Sequence, residues 1–505
     1  MDVRVEFPVN RPGPNQPAPS VQYLPPSELS AYIFDKNHVY SNNGHDVSKG
    51  LKHYDPEYNE NNPHSSSHDL NEGFETFTSY EEAADPHLDD LLHDLKDAEH
   101  KHEFESSADF ITYRGMLTHL LTAQYDRFAE FSMKATSFDG QIFIEEDFEA
   151  KQVRKAEQAA QPPRRGQRFS QAQMSYWGYK YEAIITLPEE FEDCSHQEIY
   201  EHRRAPVENA SQYISVVETG FGNHKVVIGG EVDAIQGDWK PWNCTHPYVE
   251  LKTSRWPFFE KGDTDVANMR MWEGKMLKWW AQSFLLAVRQ VVIGLRDDDG
   301  VLLHQAQYDV NKIPRFVQGG LKTWSAEHCV AFLDRFLTFL KAHVSQGGVW
   351  RISLRKTFGN QPKKIVLERV EETGTGDIVS KEFKEWRAAL NAGNVPPYEW
   401  EYGPMTYEQW VRWMEGRQQA PGFFDESGQK KIGKKDGLRK ERYNPGAPIV
   451  CMQRFDGEDY AAWAARIRSF GIRVPDDLYG QKFGSWEDRH RFWGIDRPPP
   501  GYDKR

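Results

Sequence analysis

The apolar positions fall into two periodicities. Leu88, Leu91, Leu92 and Leu95 stand at i, i+3, i+4 and i+7, the stripe of an amphipathic helix. Asp85 is placed to cap that helix, with Pro86 at its first position. FITYRGMLTHLL (110–121) predicts a short helix at its end, and FAEFSMKATSFDGQIFIEE (128–146) predicts a hairpin turning at Asp139 and Gly140. Four further runs predict strands: GYKYEAIITL (178–187), QYISVVET (212–219), HKVVIGGEVDAI (224–235) and PYVELKTS (247–254). Gly229 and Gly230 suggest a bulge or bend in the third. A long helix is expected over 267–290, a buried strand at 291–296, and a helix over 326–344 capped by Ser325. Strands, then a helix, then a strand make an α/β pattern.

The flanks differ. Residues 1–28 are Pro-rich and predict an extended arm, and 35–70 are polar and predict long surface loops. Residues 151–168 carry Lys151, Arg154, Lys155, Arg164, Arg165 and Arg168 and suggest a basic mobile loop, a steering surface for a polyanion or a plain linker. Beyond about 392 the composition turns Trp-rich and holds the basic run KKIGKKDGLRKER (430–442), either a localisation or RNA-binding patch or a solvated loop. The expected division is an arm over 1–28, a catalytic domain over 29–392 and a C-terminal extension over 393–505.

Composition sharpens this picture. The 505 residues carry a formal charge of −14, but 69–109 alone holds 14 acidic and 2 basic residues. The acidity is local and gives little reason to exclude a polyanionic substrate. No run approaches the roughly 18 apolar residues of a membrane span, and the first residues show no apolar leader. The four cysteines, Cys194, Cys244, Cys329 and Cys451, are scattered without a CxxC pair. That pattern fits a reducing compartment rather than a disulfide framework or a structural zinc.

The chemistry lies in short acidic strings inside apolar runs. In a strand, residues i and i+2 share a face, so Glu231 projects with Asp233 and Glu250 with Lys252, while Val232 and Leu251 point into the core. Buried carboxylates need a counter-charge. Oxygen ligands of this kind suit Mg²⁺ or Mn²⁺, and a neighbouring lysine can act on a water or a phosphate. A lone acid-x-Lys string is common and usually an outward-facing charge pair; an acid-x-acid strand followed by an acid-x-Lys strand and a helix resembles the PD-(D/E)XK nuclease core. His87, His93, His100 and His102 lack a ligand pattern and read as solvated helix-face residues.

GYKYE, EVD and ELK occur in that order after Tyr113-Arg114-Gly115. Together with DLNEGFETF (69–77) and WWAQSFL, they resemble the RNA 5′-end decapping nuclease family over roughly residues 20–390. The resemblance implies an α/β fold of two twisted mixed β-sheets flanked by helices, with a PD-(D/E)XK-nuclease-like core and a C-terminal extension. It implies that Glu182, Asp233 and Glu250 are metal-binding acids, with Glu231 reaching the metal directly or through water and the carbonyl of Leu251 completing the shell. Lys252 would contact the scissile phosphate and the attacking water; Arg114 and Gln282 would contact substrate. Mg²⁺ or Mn²⁺, two ions, is the implied cofactor. The implied activities are pyrophosphate removal from 5′-triphosphate RNA and release of incompletely methylated or NAD-type caps, in the nucleus or alternatively the cytoplasm. Two other readings stand beside this one: a protein that mainly stabilises a nuclear 5′-to-3′ exoribonuclease, and a DNA nuclease of the broader PD-(D/E)XK group.

Overall fold

The computed structural model describes residues 3–13, 16–56, 58, 69–102, 104–160, 168–237, 247–256, 263–356 and 361–395. The Trp-rich extension and its basic run, Cys244, Cys451, Arg164 and Arg165 lie outside these residues.

Among the described residues the strands are β1 (Arg4–Pro8), β2 (Tyr23–Phe34), β3 (Tyr40–Ser41), β4 (His53–Tyr54), β5 (Phe110–Tyr113), β6 (Phe131–Phe138), β7 (Gln141–Glu146) and β8 (Thr186–Leu187). They continue as β9 (Gln212–Phe221), β10 (His224–Glu231), β11 (Ala234–Ile235), β12 (Tyr248–Arg255), β13 (Gln290–Arg296), β14 (Leu302–Asp309), β15 (Val349–Leu354) and β16 (Lys364–Glu371). The helices are α1 (Gly44–Gly50), α2 (Asp89–His102), α3 (Arg114–Thr122), α4 (Phe148–Ala160), α5 (Gln171–Ile185), α6 (His196–Arg204), α7 (Asp263–Leu285), α8 (Ile313–Gly319), α9 (Ala326–Val344) and α10 (Lys381–Asn391).

The strands form two mixed sheets. One has ten strands in the order β1-β16-β15-β6-β7-β5-β10-β9-β2-β3, and the other has six in the order β14-β13-β12-β11-β4-β8. The leucine stripe of α2 is fully buried against Ile111, Val216 and Val227 of the larger sheet. Trp177, Tyr181, Ile184 and Ile185 of α5 bury against Leu251 and Val292 of the smaller one. Each sheet thus gains a core through one apolar helix face. No helix among the described residues is long and apolar enough to cross a membrane.

Several expectations are met. The hairpin β6–β7 turns at Asp139 and Gly140, both at positive φ (49° and 78°), the geometry of a two-residue turn matched to strand twist. Ser325 caps α9, accepting from the His328 N–H. Cys194 and Cys329 are free.

Others are corrected. GYKYEAIITL is not a strand: it forms the end of α5, and only Thr186–Leu187 is extended. The aromatic alternation misled because Trp177, Tyr181, Ile184 and Ile185 also stand at i, i+4, i+7 and i+8, and Ser170 caps the helix by accepting from Gln173 N–H. Within residues 1–28, the described strands do not stand apart as an arm. Arg4–Pro8 pairs with β16, and the 28/29 boundary falls inside β2. Pro25 and Pro26 sit where the β2–β9 ladder lapses between Leu24 and Ser27, the interruption that proline requires. The α2 helix starts at Asp89 rather than Pro86; the Asp85 carboxylate instead accepts from the His87 N–H. Of the basic segment, 151–160 lies in helix α4. Lys151 and Arg154 pair with Glu146, and Lys155 with Glu81.

Gly229 and Gly230 make no bulge, since β10 keeps unbroken register with β9 and with β5. They serve close approach. A Cβ on Gly230 would lie 2.7 Å from Leu286 Cδ1 and 2.8 Å from Arg114 Cβ. Gly230→Ala is therefore expected to destabilise by about 1–3 kcal/mol in urea unfolding. Gly178→Ala in α5, with nothing within 4 Å of its Cβ, is expected to be neutral or stabilising by up to about 1 kcal/mol. Equal behaviour of the two variants would contradict the packing argument.

Candidate active site

The site forms where the chain leaves one sheet for the other. β10 ends at Glu231 in the larger sheet, and β11 begins at Ala234 in the smaller. Between them, the Val232 N–H is held by the Tyr213 carbonyl at 2.9 Å. Glu231 faces Ile214 across the ladder, and Asp233 stands at the crossing.

Arg114 arrives from the same sheet. β5 and β10 run parallel, with Tyr113 opposite Gly229. The chain turns into α3 directly after Tyr113, so Arg114 and Glu231 both emerge at the carboxyl ends of adjacent parallel strands, where α/β sheets commonly bind ligands. The smaller sheet supplies Glu250, Leu251 and Lys252 from β12, and α5, which packs on β12, carries Glu182.

Four of these groups interlock. Arg114 Nη1 donates to Glu250 Oε2 at 3.0 Å. Lys252 Nζ lies 2.7 Å from Glu250 Oε1 and 3.2 Å from Asp233 Oδ2, and it donates to the Leu251 carbonyl at 2.9 Å. The Leu251 N–H donates to Asp233 Oδ2 at 2.7 Å. That N–H faces the point where β11 has stopped pairing, so the carboxylate replaces a strand partner. Glu250 is 0% exposed and Lys252 27%. The Lys252 contact with Oε1 is ionic and outside hydrogen-bond geometry, leaving that buried oxygen without a hydrogen bond.

The acids divide electrostatically. Burial alone would raise Glu250, but the Arg114 and Lys252 cations outweigh it and hold the carboxyl below its ordinary range. Burial and the Asp233 charge push Glu182 up to about 8. Burial and Asp233 raise Glu231, and burial raises Asp233 against the pull of Lys252. Burial disfavours the Lys252 ammonium, yet Asp233, Glu250 and Glu182 hold it charged well above its usual range. This is a surplus of buried carboxylates short of positive charge.

The donors fit a divalent cation. Oxygens of Asp233, Glu250 and the Leu251 carbonyl converge on one point, at present the Lys252 ammonium, while Glu182 and Glu231 couple to it through their charge. An all-oxygen set of this kind suits hard cations, and it has the composition needed for metal-assisted phosphodiester hydrolysis.

Gln282 is half-buried on α7, and among the described residues no hydrogen bond joins it to the acids. Lys52 was not anticipated: its charge acts on Glu182, and the Ile235 N–H is bound to its carbonyl at 2.9 Å. It belongs to no motif, so only tertiary placement reveals it. His87 is less solvated than expected. Its Nδ1 lies 3.1 Å from Glu145 Oε2 and 3.7 Å from Asp85 Oδ1, a trio compact enough to hold an ion but already joined by a hydrogen bond between His87 and Glu145.

Residues 25–384 match the family described as RAI1 like PD-(D/E)XK nuclease. The chain is 39% identical over 366 residues to the Emericella nidulans protein named decapping nuclease RAI1, covering 72% of this chain and 93% of that one. Two solved structures are similar. Candida albicans Rai1 in complex with pU5-Mn²⁺ is 25% identical with a TM-score of 0.64, covering 77% of this chain and 100% of that one. Scheffersomyces stipitis Rai1 in complex with (3′-NADP)⁺ and calcium ion is 27% identical with a TM-score of 0.63, covering 76% and 100%. The fold and these matches place the chain among the PD-(D/E)XK nucleases, and it belongs to the RAI1-like family of them.

The raised Glu182 carboxyl has a pH consequence. Between its ordinary value of 4.5 and about 8 the folded chain keeps a proton that the unfolded chain has lost. Without a cation, this group's contribution therefore falls as pH rises through that window. A bound cation must displace the proton. Mn²⁺ affinity is expected to rise between about pH 6 and 8, with proton release seen by calorimetry in buffers of different ionisation enthalpy. Glu182→Gln should flatten that rise; a wild-type affinity independent of pH would contradict the assignment.

Proposed function

We propose that this protein is a metal-dependent hydrolase of RNA 5′ ends, an RNA decapping nuclease and 5′-triphosphate pyrophosphohydrolase. The observation that carries the reading is the convergence of Arg114, Asp233, Glu250 and Lys252 from two sheets, with Glu182 and Glu231 coupled to them. The similarity to relatives named decapping nuclease, and to Rai1 with a 5′-phosphorylated oligonucleotide and Mn²⁺, supports it.

The residues then take the following roles. Glu182, Glu231, Asp233, Glu250 and the Leu251 carbonyl hold Mg²⁺ or Mn²⁺, two ions in the full complement. The metal supplies Lewis acidity, which activates water and stabilises charge on the phosphate. Arg114 keeps Glu250 ionised inside the protein. Lys252, released from the oxygens it now occupies, offers its N–H donors to the scissile phosphate and the attacking water. Gln282 positions the substrate from α7.

Incompletely methylated caps and NAD-type caps belong to the same reading, since each joins a nucleoside to the 5′ end through phosphoanhydride bonds, three phosphates in GpppN and two in the NAD type. The likeness to a Rai1 that holds (3′-NADP)⁺ supports the second. A nuclear location and a nuclear 5′-to-3′ exoribonuclease as partner rest on the family resemblance, as does the division at residues 392/393.

Replacing Glu231 and Asp233 together by Ala should lower hydrolysis of 5′-triphosphate RNA and GpppN-capped RNA at least about 100-fold with Mn²⁺ present. Thermal unfolding checks that the fold survives. Activity equal to wild type would overturn the reading, and preference for duplex DNA over RNA 5′ ends would favour the DNA nuclease.

A further inference from the structure

A second cationic feature continues the face of β12 that carries the acids. Glu250, Lys252 and Ser254 alternate onto that face. Ser254 is buried at 3% exposure, and its hydroxyl accepts a hydrogen bond from Lys275 Nζ at 2.6 Å. Lys275 lies on α7, its ammonium 5.8 Å from the Trp272 ring centre.

Connectivity fixes the direction of α7. It leaves the carboxyl end of β12 and delivers the chain to β13, which runs parallel to β12 with Gln290 opposite Val249. The helix therefore runs back along β12. Moving from Lys275 to Gln282 covers two turns on one helix face, about 10 Å. Moving from Ser254 back to Glu250 covers about 13 Å. Gln282 is thus brought to the level of Glu250, and Lys275 marks the far end of the same track.

That end gathers three cations, and Asp298 and Asp297 answer two of them, Arg255 and Arg296. Arg255 and Arg296 are register partners on β12 and β13. Arg255 has Asp298 at 2.7 Å. Arg296 lies over the Trp177 ring at 4.1 Å, and its buried Nε has no hydrogen-bond partner among the described residues. No carboxylate pairs with Lys275 among the described residues. Burial and the two arginines push its ammonium down to about 8. A half-buried lysine that is bonded to a serine, lies beside an indole, has no carboxylate partner among the described residues and is repelled by two arginines is a good seat for an anion.

We propose that Lys275, oriented by Ser254, binds a phosphate inside the RNA chain downstream of the scissile one, so that α7 and β12 together hold the substrate strand. The proposal rests on the RNA 5′-end reading above and extends it from the end group to the chain behind it. Lys275 is here a substrate-positioning residue, and the reacting atoms are left to Lys252.

The test compares 5′-triphosphate RNAs of two and twelve nucleotides with full-length protein and Mn²⁺. For Lys275→Met, KM for the twelve-mer should rise about tenfold relative to the dimer, with kcat on the twelve-mer little changed. The dependence of log kcat/KM on log salt should become shallower by about 0.7. Lys275→Arg should restore most of both. Ser254→Ala, which keeps the lysine but removes its anchor, should shift the same ratio more weakly and serves if Lys275→Met fails to fold. An unchanged length ratio and salt slope, or equal loss on both substrates, overturns the proposal and leaves the end-group reading intact. A wild type that hydrolyses neither RNA overturns that reading itself.

Discussion

The structure turns on one buried carboxylate. Glu250 is fully enclosed, and it stays ionised because Arg114 from one sheet and Lys252 from its own strand both lie against it. Removing either cation would leave charge in an apolar surrounding, a far larger loss than an exposed ion pair would suffer. The contact also fixes the Arg114 end of α3 against β12, and it relies on Gly230 to let the Arg114 side chain pass close to β10. Packing, charge and site geometry are therefore a single constraint.

The remaining acids obey the opposite rule. Glu182, Glu231 and Asp233 are all held above their ordinary ionisation ranges by burial and mutual repulsion. One carboxylate kept charged beside three that resist charging gives a site that is half-neutralised alone and demands external positive charge. The Lys252 ammonium, lodged among Asp233, Glu250 and the Leu251 carbonyl, meets part of that demand.

Much of this was legible in the sequence, and the limits have physical causes. Strand alternation placed Glu250 and Lys252 on one face, and the leucine stripe of α2 is buried as its spacing required. The acid-x-acid string was harder. Asp233 lies beyond the end of β10, so it meets Lys252 through a change of sheet rather than through regular alternation. Glu182 was read on a strand and lies on α5, because a short aromatic run satisfies strand and helix periods alike. The pairing of Arg4–Pro8 with β16, more than 350 residues away, leaves no local trace. The cations of α4 were visible, but their acidic partners were not, since ion pairs across elements follow tertiary packing. Lys52 and Lys275 have no local pattern that separates them from ordinary surface lysines.

The crossing of the chain between β10 and β11 also orders the birth of the protein. Arg114, Glu182, Glu231 and Asp233 are all synthesised before the strand that unites them. β12 in turn lies between β11 and β13, so its position is secured only after α7 has been made and the chain has returned. A chain that stops short of β12 therefore lacks Glu250 and Lys252, and with them the contacts that join Arg114 and Asp233.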